Sequence, residues 1–301
     1  MFYRAFWTLF VSSWCFYAQG QARFFQPADS LNKARLIGTS IGIGSVWTTS
    51  MIGLSQVWYA DFPKSKFHTF NDSKEWMQMD KMGHVFAAYH LSKQTSSLYR
   101  WSGMSKKNAA WIGAGVGWGY QLSFEFLDGT NAAWGFSWSD IAANTVGSGL
   151  FLAQEHWATE QLIQLKFSYS PSPYASIRPE VLGSSFSERL LKDYNGQTYW
   201  LSASPGVLFP KSRIPKWIAV AVGYSVDAKL VGTTDFFQTA NGLQTFDATR
   251  EIVFSLDIDV NQLGIRKPWI KKLLSPFNTI KVPFPALIVR GNGIEGKWLY
   301  F

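Results

Sequence analysis

Charge is what this chain has least of. Only 16% of its 301 residues are Asp, Glu, Lys or Arg, against about 25% in ordinary soluble domains, so an evenly solvated surface lacks its usual material. Cysteine is nearly missing as well: Cys15 is the single one. That excludes a disulfide framework and leaves no thiol for catalysis beyond the N-terminal segment. No serine nucleophile sits in a Gly-x-Ser-x-Gly elbow, and no His-Glu-x-x-His zinc signature occurs. Covalent catalysis by those routes is therefore unsupported. What the chain does have is 47% hydrophobic residues, with 15 Trp and 12 Tyr, rings that collect where protein meets a headgroup layer.

The formal net charge of +8 does not make a nucleic-acid binder. Basic residues are scattered, the densest being Lys106-Lys107 and Lys271-Lys272, and no strand interleaves bases with aromatics as an RNA-binding sheet does. Anionic membrane lipid is the better match for this charge. Residues 1–22 read as a signal peptide: Arg4, an apolar stretch from Ala5 to Val11, then small residues from Ala18 to Ala22. A lipoprotein site needs a small residue before its cysteine, and Trp14 precedes Cys15, so lipid attachment is not expected. Export to the cell envelope follows, to the outer membrane or periplasm rather than the inner membrane.

Residues 23–166 carry helical patterning. The run from Leu36 to Ala60 has no acid or base, places Gly38, Gly42, Ser45, Thr49 and Gly53 along a stripe of small residues, and is a candidate membrane span. A second helix is expected from Asn71 or Asp72 to about Leu98, with Asp72 and Glu75 at capping-box spacing. A third begins after Ser105 and continues to Leu127, and Gly113, Gly115, Gly117 and Gly119 give it a small face. Ser137 or Ser139 caps a fourth that runs past His156. Residues 167–301 switch to period two. Ser168 to Pro179 reads as a linker, and Ile218 to Val226 and Ile252 to Val260 alternate as strands. Weaker strands are expected at Tyr199–Phe209, Ala286–Arg290 and Ile294–Phe301, with a short helix at Trp269–Leu274. The predicted class is α+β: a membrane-associated N-terminal four-helix bundle followed by a small antiparallel β-sheet. Four to six strands are too few for a membrane barrel, although the terminal Phe301 is of the kind such barrels carry.

Three polar constellations interrupt the helices: Asp80-Lys81-x-x-His84, Glu125-x-x-Asp128 and Asp140-x-x-x-Asn144, the last followed by Gly147. Residues three or four apart share a helix face, so the sets can converge from three helices. Isolated charges are costly to bury. Such a group implies mutual pairing, a metal, or a wet functional cavity. His84 is the candidate acid–base, with Asp80 or Asp140 orienting its ring and Glu125 handling a proton or water. As metal ligands the candidates are His84, Glu125, Asp128 and Asp140, and no cofactor is specified. In the structural alternative Asp80 pairs Lys81, Asp128 caps a turn and Asn144 bridges helices. Lys81 joins the others only if the helix starts near it. His68, His90 and His156 have no partner at ligand spacing and are expected at surfaces or interfaces.

The ordered set of three motifs resembles the YfiM-like family, bacterial envelope proteins with a domain of unknown function. More distantly it is similar to VanZ-like membrane proteins. The resemblance covers residues 70 to 158 and implies a helical envelope domain, often behind a signal peptide and in some relatives a lipoprotein, with no assigned activity. The strand-rich region looks like an extension found in longer members. Two readings stand side by side. One is a structural or assembly role at a bacterial membrane, with lipid and other envelope proteins as partners. The other is a membrane-associated hydrolase or metal-binding protein acting on a lipid or cell-wall intermediate through His84, Glu125 and Asp140.

Overall fold

The computed structural model describes residues 24, 26–57, 59, 62–239, 242–291 and 293–301. Cys15 and the proposed leader lie outside them. Four long helices come first: α1 (Lys33–Val57), α2 (Met79–Trp101), α3 (Lys106–Gly129) and α4 (Trp138–Trp157). Then come β1 (Ile163–Tyr169), the short helices α5 (Pro179–Leu182) and α6 (Phe186–Lys192), β2 (Gln197–Ala203), α7 (Pro205–Leu208) and β3 (Ile218–Asp227). A hairpin of β4 (Phe236–Thr239) and β5 (Gly242–Thr245) precedes β6 (Thr249–Ile258), α8 (Pro268–Leu274), β7 (Phe284–Arg290) and β8 (Gly293–Tyr300). The architecture is α+β. Six strands form one antiparallel sheet in the order β1-β2-β3-β6-β7-β8.

The caps follow local chemistry. Ser105 accepts from the Asn108 amide and Ser137 from the Asp140 amide, each satisfying an otherwise orphaned donor. The second helix departs from expectation. Asp72 and Glu75 do not cap it; a 3-10 turn at Glu75–Gln78 intervenes, with Trp76, Met77 and Gln78 all at positive φ (48°, 51° and 68°). Three consecutive side-chain-bearing residues in that region are costly. The sheet holds them there: the Trp76 amide donates to the Gly232 carbonyl, Tyr224 donates to the Met77 carbonyl, and Arg250 donates to Gln78 Oε1.

The bundle core packs Tyr89, Ala110, Ala114, Phe151 and Leu165 together. Glycines allow the backbones to approach: a Cβ on Gly113 would lie 2.5 Å from the Ser92 carbonyl, one on Gly117 2.4 Å from Ser92 Oγ, and one on Gly147 2.2 Å from the Val85 carbonyl. The small-residue stripe of α1 is different. Nothing lies within 4 Å of a Cβ placed on Gly38, Gly42, Gly44 or Gly53, and Ile37, Ile41, Val46 and Ile52 on the same helix are exposed. No helix of the described residues is long and apolar enough to cross a membrane. The expected span at Leu36–Ala60 is not borne out, because Ser, Thr and Gly dilute its apolar content.

Two features of the sheet also depart from expectation. β1 occupies Ile163–Tyr169, where the linker was expected to begin, and β2 stops at Ala203, before the turn of α7. The period-two pattern did mark the strands, but the buried face is the one carrying Ala219, Ala221, Val253 and Asp257, while Val220, Val222, Phe254 and Leu256 point outward and are exposed. The covered side closes around Trp200, Ala221, Val253, Ala286 and Ile288, with Tyr300 packed against them.

Candidate functional site

The three polar constellations meet. Because α2 begins at Met79, Asp80 and Lys81 lie in its first turn, where Lys81 turns inward. Its Nζ lies 2.7 Å from Asp72 Oδ2, 2.9 Å from Asp80 Oδ2 and 2.6 Å from Asp140 Oδ1. One turn on, His84 Nε2 lies 3.9 Å from Asp80 Oδ1 and 3.8 Å from Asp140 Oδ1, and its Nδ1 lies 3.8 Å from Glu125 Oε1. The ring is fixed from behind, where Nδ1 donates to Asn144 Oδ1 at 3.1 Å and Gln121 donates to the same oxygen at 3.3 Å. That leaves Nε2 aimed at the two aspartates.

Each carboxylate has its own setting. Asp72 accepts from Ser137 and Ser139, both at 2.6 Å. Burial would raise its pKa, but Lys81 and the two hydroxyls outweigh burial and hold it down at about 2. Burial likewise opposes the charge on Asp80, yet His84 and Lys81 keep its pKa below the ordinary value, and Tyr194 donates to it at 3.2 Å. Glu125 is the reverse case. It is 1% exposed, accepts from the Ser137 amide through Oε2, and has no hydrogen-bond partner for Oε1 among the described residues. Burial first, and the neighbouring Asp140 charge next, push its pKa up to about 8. Burial and Asp80 push Asp140 to about 7. Burial disfavours imidazolium at His84, but Asp80, Asp140 and Glu125 together raise its pKa above the ordinary value.

Asp128 is directed elsewhere, accepting from the Tyr59 hydroxyl at 2.6 Å, with its pKa raised by burial to about 6. Of the expected ligand set, His84 and Asp140 come together with Asp80 rather than with Asp128: one ligand atom from each of these three lies within 4.8 Å of the others. The Lys81 ammonium already sits on both aspartates. His90 packs at the helix–sheet interface with Nε2 2.8 Å from the Leu165 carbonyl, His68 faces the Trp134 carbonyl at 2.7 Å, and His156 is exposed. The segment Gly38-Thr39-Ser40-Ile41-Gly42 spells Gly-x-Ser-x-Gly, but it lies in mid-helix, where Ser40 Oγ meets the Tyr99 hydroxyl at 3.1 Å.

The cluster forms one wall of a cavity of about 820 Å³, bounded elsewhere by Leu54, Phe124, Trp134, Leu191, Tyr194 and Tyr199. That is the size of a small-molecule or lipid-fragment site. Sequence reasoning missed Asp72, Gln121 and Tyr194. Gln121 stands four residues before Glu125 and so was within reach of the same spacing argument. The spacing of Asp72 and Glu75 suggests only a cap. Tyr194 arrives from 114 residues further along the chain, and no local pattern announces it.

A bundle with a buried polar cluster, joined to an antiparallel sheet, is the class that the fold and site define. Residues 69–154, the stretch that holds all three motifs, match the family described as predicted periplasmic lipoprotein (DUF2279). No curated protein and no solved structure matches the chain. The match fits an envelope protein of unknown activity and a location in the periplasm or at the outer membrane.

Proposed function

We propose that this protein is an envelope hydrolase in which His84 and Asp140 work as an acid–base pair on an amphipathic lipid or cell-wall intermediate. The observation that carries the reading is the position of His84 Nε2, 3.8 Å from Asp140 and 3.9 Å from Asp80 on the wall of the cavity. A water between them is within one hydrogen bond of base and acid. Asn144 and Gln121 orient the ring. Lys81, engaged by three carboxylates, keeps Asp72 and Asp80 ionised. Glu125 and Asp140 have pKa values near 8 and 7, so the cluster holds exchangeable protons near neutral pH, as a site that both gives and takes a proton requires. The aromatic and aliphatic walls suit the apolar part of a substrate. The ordered motifs also support kinship with YfiM-like and VanZ-like proteins. Lys81 argues against a metal as the principal occupant, because its ammonium already neutralises the aspartates that would ligate it.

The test compares the full chain with His84→Gln in two assays: release of fatty acid or headgroup from phospholipid vesicles, and cleavage of lipid-linked cell-wall precursors. Thermal unfolding is followed in parallel. The hydrolase reading predicts turnover in one assay and a loss of about 10²-fold or more in the variant at a temperature where both chains remain folded. Turnover in neither assay, with a lowered Tm in the variant, would establish a structural role instead. Elemental analysis of the purified protein checks the metal alternative.

A further inference from the structure

The sheet buries a face on which ion pairs and hydroxyls share space with Trp200, Val253 and Ile288, and it exposes an almost wholly aliphatic one. On the covered side Lys166 Nζ lies 2.7 Å from Asp257 Oδ2, both side chains being 0% exposed, and Ser202 donates to Asp257 at 2.6 Å. Ser225 and Arg290 Nε each donate to Glu251 at 2.6 Å. On the other side one register row runs Leu201, Val222, Phe254, Leu287 across four strands, and these side chains are 48, 42, 46 and 55% exposed. Val220 and Leu256 pair in the next row on the same face, at 47 and 51%. A water-facing sheet has the opposite arrangement. The patch is continuous with an internal interface, because the helices cover the β1–β2 end of the same face through Phe86 against Phe167 and Tyr199.

Charge indicates what lies on the remainder. In an antiparallel sheet the β2–β3 and β6–β7 connections leave from the same end. The first carries Lys211, Arg213 and Lys216, the second Arg266, Lys267, Lys271 and Lys272, and all are exposed. Residues 204–217 contain no acid, and the one acid in 259–283, Asp259, is buried and bonded to Asn278. Trp217 and Trp269 stand exposed among these bases, as rings do at a headgroup layer. A second copy related by a two-fold axis along the strands would oppose its basic end to another. Anionic headgroups would complement it.

We propose that the uncovered aliphatic face of the sheet docks into one leaflet of an anionic bilayer, with the basic end among the headgroups. This inference is independent of the chemistry at His84. The experiment is flotation of the full chain with vesicles of phosphatidylglycerol and phosphatidylcholine, and with phosphatidylcholine alone, at low and high salt. The wild type is expected to float with the anionic vesicles and at least tenfold less with the neutral ones. Phe254→Glu with Leu256→Glu, both at exposed positions, should lose at least tenfold. Lys271→Glu with Lys272→Glu should lose several-fold together with much of the salt dependence. Should the apolar variant fail to fold, Leu256→Cys in a Cys15→Ser background carries a polarity-sensitive fluorophore, whose emission shifts to the blue on anionic vesicles if the face enters lipid. Absence of wild-type flotation, equal flotation of the apolar variant, or no shift of the label overturns the proposal. So does a variant that only converts a dimer to a monomer in sedimentation, since the face would then belong to a second copy.

Discussion

Lys81 neutralises a set of groups that could not otherwise be buried together. With Asp72, Asp80 and Asp140 all within 2.9 Å of its ammonium, Lys81→Met leaves three carboxylates facing one another. The expected cost is about 3–5 kcal/mol in urea unfolding, the range for breaking a buried pair from one side. The pH dependence follows from the same residues. Glu125 rises from an ordinary 4.5 to about 8 and Asp140 from 3.8 to about 7. Both contribute stability fully below their unfolded values and lose it as pH rises through the folded ones, and the raised His84 has the same sign. Asp72, lowered to about 2, contributes above 3.8 and loses its contribution as pH falls through about 2. Tm should therefore peak near pH 4–5 and decline toward pH 8. In Glu125→Gln the decline should flatten, each kcal/mol being worth about 2–4 °C. His84, Glu125 and Asp140 were legible in the sequence because helical spacing makes faces predictable. Asp72, Tyr59 and Tyr194 were not, because the loop, the turn and the distant segment that deliver them carry no period.

The helices show how far a pattern reaches. Gly113, Gly115, Gly117 and Gly119 look equivalent in the sequence, but 3.6 residues per turn sends only Gly113 and Gly117 against α2, while Gly115 meets nothing within 4 Å. Gly147→Ala, with its Cβ 2.2 Å from the Val85 carbonyl, should destabilise by about 1–3 kcal/mol as an overpacked contact. Gly42→Ala on α1, facing open space, should instead stabilise by about 0.5–1 kcal/mol through helix propensity. Chemical denaturation of the two variants side by side checks both signs. The start of α2 was misplaced from sequence for a related reason. Asp72 and Glu75 have the spacing of a cap, but Asp72 accepts from Ser137 and Ser139, and the sheet imposes a left-handed turn that no local preference would choose. In the strands, alternation revealed the element and concealed its orientation, since period two is the same whichever face is covered.

At the scale of the molecule, the two halves differ in what they bury. The helices enclose an apolar core and one charged cluster, whereas the sheet encloses ion pairs and hydroxyls interleaved with the apolar cluster around Trp200. Removing Lys166, whose side chain is fully buried 2.7 Å from Asp257, strands a carboxylate. Lys166→Met should cost about 3–5 kcal/mol, and Asp257→Asn in the same chain should recover part of it in equilibrium unfolding. The class α+β and the order of helices before strands were readable from where the period changes. The inverted sheet was not, because composition counts apolar residues without saying which side of a strand meets water.

The left-handed turn at Trp76–Gln78 ties the halves together in time as well as in space. It stands immediately before Asp80 and Lys81, yet its restraints come from Tyr224, Gly232 and Arg250, and Asp80 waits on Tyr194. During synthesis the helical half emerges first and carries its carboxylates without these partners. A chain interrupted before Tyr194 would hold every motif residue and still lack the donor to Asp80 and all three restraints on the turn that precedes it.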